Sequence, residues 1–275
     1  MPELLRWFVG GGDRPSDDLS FESLLLAGAA ASGPTVFTYH WRSPALVLGY
    51  GQSSAAFAEN ACRELGIPIV RRVSGGLAVL NEGSPAVSLV IPGAHPWAEG
   101  IVRLYQRFQA ALLAVLSPWC PDLTPDASPA TPAARAASQT ERPSLICFEG
   151  RGPDGLSSGG RKVVGGAQAR RRYGALVHAV LQTRCNARLQ ARVFGVSAAR
   201  IAATMTTLPA PGDGGDLAAA VAARLAQDLG LRLLGPLQRP AFSSPDALEP
   251  ILRASDFRPA QKRSQSCPVG PYTMP

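Results

Sequence analysis

The segment RRVSGGLAVLNEG, residues 71–83, places two arginines and a pair of glycines directly after a short β-branched run. Paired glycines after a strand let backbone N–H groups come close to a ligand and donate to an anion or a carbonyl oxygen. Side chains alternate along a strand, so only one of Arg71 and Arg72 can face such a site. The same sequence is also typical of a tight hairpin turn with exposed arginines. Neither GKS, GKT nor GxGxxG lies within the segment, which excludes those phosphate-binding motifs there.

A second glycine pair lies in GGRKVVGGAQARRR, residues 159–172. Lys162 begins a run typical of a strand, and period-two alternation predicts that Lys162, Val164 and Gly166 share one face. Of the 27 basic residues only two are lysines, and a lysine is a compact point charge whose pKa shifts on burial, unlike arginine. The ordinary alternatives are a solvated hairpin lysine and, at residues 170–172, either a solvated basic surface or a docking patch for an acidic partner.

Around these two segments the pattern of apolar residues predicts an α+β protein with a mixed sheet. Helices are predicted where apolar residues recur with helical period, and strands where β-branched or apolar runs stop at turn residues. The predicted helices are residues 16–31, 56–66, 97–117 and 217–229. The predicted strands are residues 36–41, 45–51, 67–73, two within 77–93, one beginning at 162, and 175–185. Residues 118–142 are predicted to form a flexible surface loop. The domain organisation follows as a catalytic domain over 1–237 and a proline-rich tail over 238–275.

Composition narrows the class of protein further. The chain has 275 residues, 46% hydrophobic and 17% charged, enough to bury a core. No secretory signal is recognisable, and the longest apolar run, residues 24–31, is too short to cross a bilayer. Five cysteines and three histidines without metal-ligand spacing predict no metal site and a reducing, cytoplasmic location. The net charge of +7 comes mostly from arginines that reflect overall composition, so we expect neither nucleic acid nor membrane as a partner.

Taken in order, RRVSGG and RKVVGGAQ resemble the lipoate and octanoate branch of the biotin/lipoate protein ligase and transferase superfamily. VLGYGQ (residues 47–52), CRELGIPIVRR (62–72) and ALVHAVLQ (175–182) support the resemblance, which covers roughly residues 15–235. It implies a lipoate-protein ligase A-like catalytic domain with the fold of class II aminoacyl-tRNA synthetases and biotin ligases. A mixed, mostly antiparallel sheet would be flanked by helices, with the acyl tail beside the glycine strand and the lysine near the acyl carbonyl.

Within that family, cysteine-dependent octanoyltransferases and amidotransferases carry a Cys-Phe-Asp-like motif 15 residues before the lysine. Cys147, Phe148 and Glu149 stand at that spacing from Lys162. The resemblance therefore implies Cys147 as a nucleophile whose pKa the nearby ammonium would lower. The ordinary alternative for Cys147 is a small buried hydrophobe. Cys185 lies in the wrong sequence context and is expected to be a core strand residue. The implied substrate-binding residues are Arg72, Ser74, Gly75, Gly76, Leu77, Ala78, Gly165, Gly166, Ala167, Gln168 and His178.

Several positions depart from the family pattern. Asn81 stands where histidine is usual, Gly166 where serine or asparagine is usual, and Leu77 where glycine or arginine is usual. The residues after His178 are the bulkier Ala179 and Val180. An Asp-Glu pair of the first helix becomes Glu22-Ser23, and His178 itself is expected to be a hydrogen-bonded sheet residue. The departures leave open a different acyl length, a different acceptor, or lost activity.

The sequence and the resemblance leave three functions open. The first is transfer of an octanoyl or lipoyl group from a carrier-protein thioester, through Cys147, to a lysine of a lipoyl domain or of glycine-cleavage H protein. It requires no cofactor. The second is the catalytic domain of a lipoate ligase that uses ATP and Mg²⁺ and a separate accessory domain. The third is a non-catalytic relative that binds lipoyl domains or acyl-carrier proteins. The protein is expected to be a monomer.

Overall fold

The computed structural model describes residues 4–52, 58–126, 146–150, 152, 154–209 and 215–239. The strands are β1 (Leu4–Gly12), β2 (Thr35–Trp41), β3 (Ala45–Leu48), β4 (Ile69–Arg71), β5 (Val79–Asn81), β6 (Ala86–Pro92), β7 (Thr124–Pro125), β8 (Gly155–Ser158), β9 (Arg161–Arg171), β10 (Gly174–Leu181) and β11 (Arg232–Gln238). The helices are α1 (Pro15–Ala27), α2 (Ala29–Ser32), α3 (Glu59–Leu65), α4 (Ile101–Leu116), α5 (Ala187–Phe194), α6 (Ala198–Thr204) and α7 (Gly215–Leu229). Single 3₁₀ turns cover Pro96–Ala98 and Cys147–Glu149.

The strands form two sheets. The larger sheet has the order β11-β1-β2-β6-β10-β9-β8-β7, and the smaller has the order β4-β3-β5. In the larger sheet β1 runs parallel to both β2 and β11, and the other neighbours are antiparallel. In the smaller sheet β3 is parallel to β4 and antiparallel to β5. The predicted α+β architecture with a mixed, mostly antiparallel sheet is therefore confirmed.

Three apolar clusters hold the layers together. On one face of the larger sheet, α4 buries Leu104, Phe108 and Leu112 at four-residue intervals, and α7 packs beside it. The other face is covered by α1 and by one side of the smaller sheet. The third cluster lies on the far side of the smaller sheet, against α3, α5 and α6, and it includes Cys147 and Phe148. The two predicted glycine segments meet between the two sheets.

The helices predicted from periodicity are present with somewhat different bounds, and α7 begins two residues earlier than predicted, at Gly215. The helix predicted over 16–31 is divided at Gly28 into α1 and α2, and Arg14 provides no side-chain cap for it. The helix predicted over 56–66 ends, as expected, at a left-handed Gly66. The two strands predicted within 77–93 belong to different sheets. Asn81 redirects the chain between them, because its side-chain oxygen accepts hydrogen bonds from the N–H groups of Gly83 and Ser84 at 3.1 and 2.8 Å.

Other elements escaped the sequence patterns. β1, β7, β8, β11, α5 and α6 were not predicted, and the exposed β11 carries no clean alternation to identify it. Cys185 was expected in a core strand, which is wrong: β10 ends at Leu181 and Cys185 is half-buried in the segment before α5. Of the loop predicted over 118–142, residues 118–126 are described and include β7, and the remainder lies outside the described residues. Residues 240–275 also lie outside them, so the division into domain and tail stays a prediction.

No helix within the described ranges is long and apolar enough to cross a lipid bilayer.

Candidate active site

Cys147 lies in the 3₁₀ turn Cys147–Glu149, which packs beside the first glycine segment. The Cys147 N–H donates to the Ala78 carbonyl at 2.9 Å, and Ile146 forms a β-bridge with Ala78. The side chain is 7% exposed, and it lines a pocket between the two sheets. Burial agrees with the ordinary alternative of a small hydrophobe, but the position at a pocket wall also gives the sulfur access to a ligand.

Lys162 is held beneath that turn by β9. The residue is 1% exposed, so a solvated hairpin lysine is excluded. Its Nζ donates to the carbonyl oxygens of Cys147 at 3.4 Å and Gly150 at 3.1 Å. It also forms an ion pair with Asp154 at 3.6 Å. The predicted lysine and cysteine are thus brought together, through the backbone of the cysteine turn.

The predicted face of Lys162 is wrong. The register between β8 and β9 shifts so that Ser157 pairs with Lys162 while the preceding Leu156 pairs with Val164. Because adjacent β8 residues face opposite sides, Lys162 and Val164 also face opposite sides. This bulge directs Lys162 toward Gly155, where a Cβ would lie only 2.5 Å from the lysine Cε. Period-two reasoning fails here because one extra residue inverts the alternation.

Arg72, and not Arg71, faces the site, which agrees with the expectation that alternation directs only one of the two there. Its buried guanidinium donates to the carbonyl oxygens of Gly75 at 2.6 Å and Leu77 at 2.9 Å. The exposed Arg71 instead donates to the Gly49 carbonyl at 2.8 Å. The glycine turn therefore wraps its backbone carbonyls around one arginine.

A buried chain of polar side chains links Arg72 to α1. Arg72 Nε donates to Ser74 Oγ at 3.1 Å, and Ser74 Oγ lies 2.7 Å from His178 Nε2. His178 Nδ1 lies 3.1 Å from Glu22 Oε1. With the proton on Nδ1 donated to Glu22, Nε2 is free to accept from Ser74, and every member of the chain is satisfied. His178 is thus the hydrogen-bonded sheet residue that was predicted, and it also lines the pocket.

Glu22 ends this series of hydrogen-bonded side chains, and the sequence alone did not predict its role. Burial acts to raise its pKa, but His178, Ser88 and Tyr39 together lower the pKa below its ordinary value. Tyr39 donates to Glu22 Oε1 at 3.1 Å, and Ser88 donates to the same oxygen. The signal in the sequence was a carboxylate, together with Asp18, on the buried side of an apolar helix. Both side chains are fully buried.

The pocket joins residues from both glycine segments and encloses about 420 Å³ of empty space, counting its open mouth. It is lined by Leu19, Tyr39, Trp41, Val47, Arg72, Val79, Asn81, Ala86, Cys147, Gly165, Gly166, Ala167, His178, Ala179 and Val180. Most of these residues are apolar, and those that carry polar side-chain groups are Tyr39, Trp41, Arg72, Asn81, Cys147 and His178. Four of the departures from the family pattern, at Asn81, Gly166, Ala179 and Val180, also lie in this wall.

The predicted substrate-binding residues divide into four groups. Arg72, Gly165, Gly166, Ala167 and His178 line the pocket. Ser74, Leu77 and Ala78 lie behind the wall and hold Arg72 or Cys147, while Gly75 and Gly76 are exposed at the turn. Gln168 points elsewhere, because its side-chain nitrogen donates to the Ile101 carbonyl at the start of α4 at 3.4 Å.

No three histidine, cysteine, aspartate or glutamate side chains come together as a metal site in the described part of the chain. The arrangement offers other chemistry. A thiol at the wall of an apolar pocket, with one buried cation in the wall and another beneath its backbone, can act as a nucleophile toward an acyl group with an apolar tail.

Most of the described chain is similar to known proteins. The profile of the lipoyl protein ligase A/B catalytic domain matches residues 14–210. The chain is 32% identical over 173 residues to octanoyltransferase LipM of Carboxydothermus hydrogenoformans, covering 59% of this chain and 60% of that protein. It is 33% identical over 147 residues to octanoyltransferase LipM of Moorella thermoacetica, covering 53% of this chain and 52% of that protein. The matches thus span between about half and three-fifths of these relatives.

Solved structures show the same fold. A lipoate-protein ligase A bound with ATP superposes with a TM-score of 0.68 and 16% identity, covering 92% of this chain and 94% of that one. A bipartite lipoate protein ligase from Thermoplasma acidophilum, studied together with its E2 lipoyl domain, gives a TM-score of 0.62 and 16% identity, covering 94% and 95% of the two chains. At this level of identity the likeness establishes the fold.

Proposed function

The chain belongs to the lipoyl protein ligase A/B catalytic domain family, and from that membership we propose that it is an acyltransferase of protein lipoylation. The relatives named octanoyltransferase LipM support octanoyl or lipoyl transfer as the reaction. Transfer by this route requires neither ATP nor a metal ion. We propose a cytoplasmic monomer that acts on other proteins.

The reaction we propose has two steps. The Cys147 thiolate attacks the carbonyl of an acyl thioester on a carrier protein; a new sulfur–carbon bond forms, and the carrier thiol leaves and takes up a proton. The ε-amine of an acceptor lysine then attacks the acyl-enzyme, an amide forms, the amine loses its proton, and the Cys147 thiolate is released. The acceptor would be a lipoyl domain of a 2-oxoacid dehydrogenase or glycine-cleavage H protein.

One observation carries this proposal: Cys147 lines an apolar pocket together with Arg72 and the glycine strand, while Lys162 holds the backbone of the cysteine turn. The apolar wall suits an acyl tail, because burying each methylene contributes about 0.8 kcal/mol. The glycines at positions 165 and 166 keep the strand free of side chains at the pocket wall. The net charge of +7 would favour encounter with acidic carrier proteins and lipoyl domains.

Incubation with an octanoyl-loaded carrier protein, followed by intact mass measurement, tests the proposal. We expect a mass gain of one octanoyl group in the wild-type protein and in Cys185→Ala, and no gain in Cys147→Ala. Addition of a lipoyl domain should then discharge the adduct. An adduct that persists in Cys147→Ala would contradict the assignment of the nucleophile.

The same assay separates the two other functions. Formation of acyl-AMP from free lipoate and ATP, without an acyl-enzyme, would instead support the ligase. Binding of lipoyl domains with neither signal would support a non-catalytic relative.

A further inference from the structure

One short helix contacts both the turn that carries Cys147 and the strand that carries Lys162. Helix α6 begins at Ser197, whose side-chain oxygen accepts a hydrogen bond from the Arg200 N–H at 3.1 Å. Its inner face buries Ile201 completely, in the apolar cluster that also contains Cys147. The cap fixes the first turn of the helix, and the apolar contact makes α6 part of the same packed unit as the cysteine turn.

At its N-terminal end, α6 holds the cysteine turn through an ion pair. Arg200 Nε donates to Glu149 Oε1 at 2.6 Å, and Arg200 Nη2 donates to Glu149 Oε2 at 2.8 Å. Two parallel hydrogen bonds of this kind fix the relative orientation of both groups, which a single contact does not. The Glu149 side chain is only 8% exposed, whereas that of Arg200 is 51% exposed. The arginine thus reaches in from the surface to hold a carboxylate that the fold encloses.

At its other end, the same helix leads into the backbone of β9. Met205 follows α6 directly and forms a β-bridge with Lys162, and the Thr206 N–H donates to the Lys162 carbonyl oxygen at 3.1 Å. The Lys162 side chain in turn donates to the carbonyl oxygens of Cys147 and Gly150. The helix and the residues that follow it therefore connect the cysteine turn to the lysine strand by a second route.

The other contacts of the cysteine turn are made from the inside of the molecule. The Cys147 N–H donates to the Ala78 carbonyl oxygen at 2.9 Å. Phe148 is buried over β9, where a Cβ on Gly165 would lie 3.0 Å from its ring. The ion pair of Glu149 holds the turn from the side of α6. Attack on an acyl carbonyl depends on close placement of the sulfur, so a looser turn would slow the reaction.

We propose that Arg200 is a positioning residue for acyl transfer, which acts through Glu149 to hold Cys147 in place above Lys162. Arg200 is not among the residues that line the pocket, so its effect reaches the reaction through the cysteine turn. This inference rests on the proposed role of Cys147 as the nucleophile. It goes beyond that role by giving a function to a helix that no sequence pattern predicted.

A simpler role for Arg200 would be to cancel the charge of Glu149. An unpaired carboxylate two residues from the sulfur would disfavour the thiolate, because like charges repel. The two roles predict different results for Glu149→Gln. Removal of the carboxylate would leave the rate unchanged or higher if only charge mattered, whereas it would release the turn if the ion pair positions the cysteine.

Single-turnover acylation by an octanoyl-loaded carrier protein measures both the maximal rate and the half-saturating donor concentration. We expect Arg200→Gln and Glu149→Gln each to lower the maximal rate about tenfold or more, since a displacement of about 1 Å can cost about 100-fold. The half-saturating concentration should change by less than about twofold, because the pocket wall is unaltered. Arg200→Lys, which keeps the charge without the planar fork, should recover part of the rate.

The double variant Arg200→Gln/Glu149→Gln tests whether the two residues act as a unit. Its loss of rate should be no larger than that of either single variant, because each change already breaks the same contact. Arg192→Gln is the matched control, since Arg192 pairs with Glu64 at 2.7 Å in an exposed ion pair that joins α5 to α3. It should keep the wild-type rate. A wild-type or higher rate in Glu149→Gln, or additive losses in the double variant, overturns the proposal.

Hydrogen exchange in the peptide that spans residues 146–150 supplies a measurement that needs no acyl donor. We expect faster exchange there in Arg200→Gln than in wild type or Arg192→Gln, because loss of the ion pair lets the turn open more often. Unchanged exchange overturns the proposal, and Arg200→Lys decides in the same way should Arg200→Gln unfold. A wild-type protein that forms no acyl-enzyme would contradict the proposed function while the exchange measurement still decides the role of Arg200, so the two can fail separately.

Discussion

The same dipeptide, Gly-Gly, occurs in both segments of the site and serves two different physical purposes. Gly75 and Gly76 lie exposed in a turn, where Gly76 adopts a φ of 90° and a Cβ on Gly75 would meet nothing within 4 Å. Gly165 and Gly166 lie buried in the middle of β9, where a Cβ on Gly166 would come within 2.6 Å of the Asp154 carbonyl oxygen. The first pair allows the backbone conformation of the turn, whereas the second leaves space for the neighbouring backbone and side chains.

The cation of each segment follows from that difference. In the turn, the backbone carbonyl oxygens of Gly75 and Leu77 point toward Arg72 and accept hydrogen bonds from its guanidinium. The strand has its carbonyls engaged in the sheet, so Lys162 depends on the neighbouring cysteine turn and on Asp154. One cation is thus held mainly by the turn of its own segment, and the other by the cysteine turn together with an ion pair.

The largest expected effect comes from changing the shape of the lysine while keeping its charge. Lys162→Arg should lower the rate of octanoyl transfer about 100-fold, the scale of loss expected when reacting groups are displaced by about 1 Å. The ammonium fits between Gly155 and the cysteine turn, where a guanidinium is too large. Lys262→Arg, the same change at the other lysine of the chain, is the matched control. A fully active Lys162→Arg would show that charge alone suffices.

A smaller effect should separate the two glycine pairs. Gly166→Ala forces a methyl group against the backbone carbonyl oxygens of Asp154 and His178, and such overpacking costs about 1–3 kcal/mol in the free energy of unfolding. Gly75→Ala should cost less than about 0.5 kcal/mol, because the site is open and the φ of Gly75 is not in the left-handed region. Urea denaturation of the two variants measures both values. Equal losses would contradict the division into a shaping pair and a space-making pair.

The smallest effect concerns the polar chain that supports Arg72. The folded-state pKa of Glu22 is depressed below its ordinary 4.5, since His178, Ser88 and Tyr39 outweigh the opposing effect of burial. Its contribution to stability is therefore complete above that ordinary value and is lost as the pH falls through the depressed one. The stability of the wild-type protein against thermal unfolding should therefore fall more steeply on acidification than that of Glu22→Gln.

Asp18, one turn earlier on α1, provides a control with the opposite sign. Burial raises its pKa despite the hydrogen bond from Trp41 and the ion pair with Arg239. Its effect on stability therefore becomes less favourable as the pH rises above its ordinary 3.8. Asp18→Asn should remove that loss of stability. If Asp18→Asn and Glu22→Gln changed the pH dependence of stability in the same direction, the assignment of Glu22 as an ionised partner of His178 would be contradicted.

Much of this protein could be read from local sequence. Glycine pairs after β-branched runs, a helix with four-residue apolar spacing, and a cysteine 15 residues before a lysine are short-range patterns. They predicted the α+β class, the family resemblance, and the meeting of Cys147 with Lys162. These predictions succeed because backbone preference and apolar periodicity act over a few residues, and the segments that carry them form the same elements wherever they pack.

Tertiary structure decided what depends on distant partners. The chain from Arg72 through Ser74 and His178 to Glu22 joins residues up to 156 positions apart, and no local pattern signals that contact. The bulge in β9 depends on its register against β8, and β11 becomes a strand only because β1 pairs with it. The sequence by itself thus determined which residue types the site holds. Packing decided which of the two cations forms an ion pair within the described residues, because the cost of burying a charge depends on every neighbour the fold brings to it.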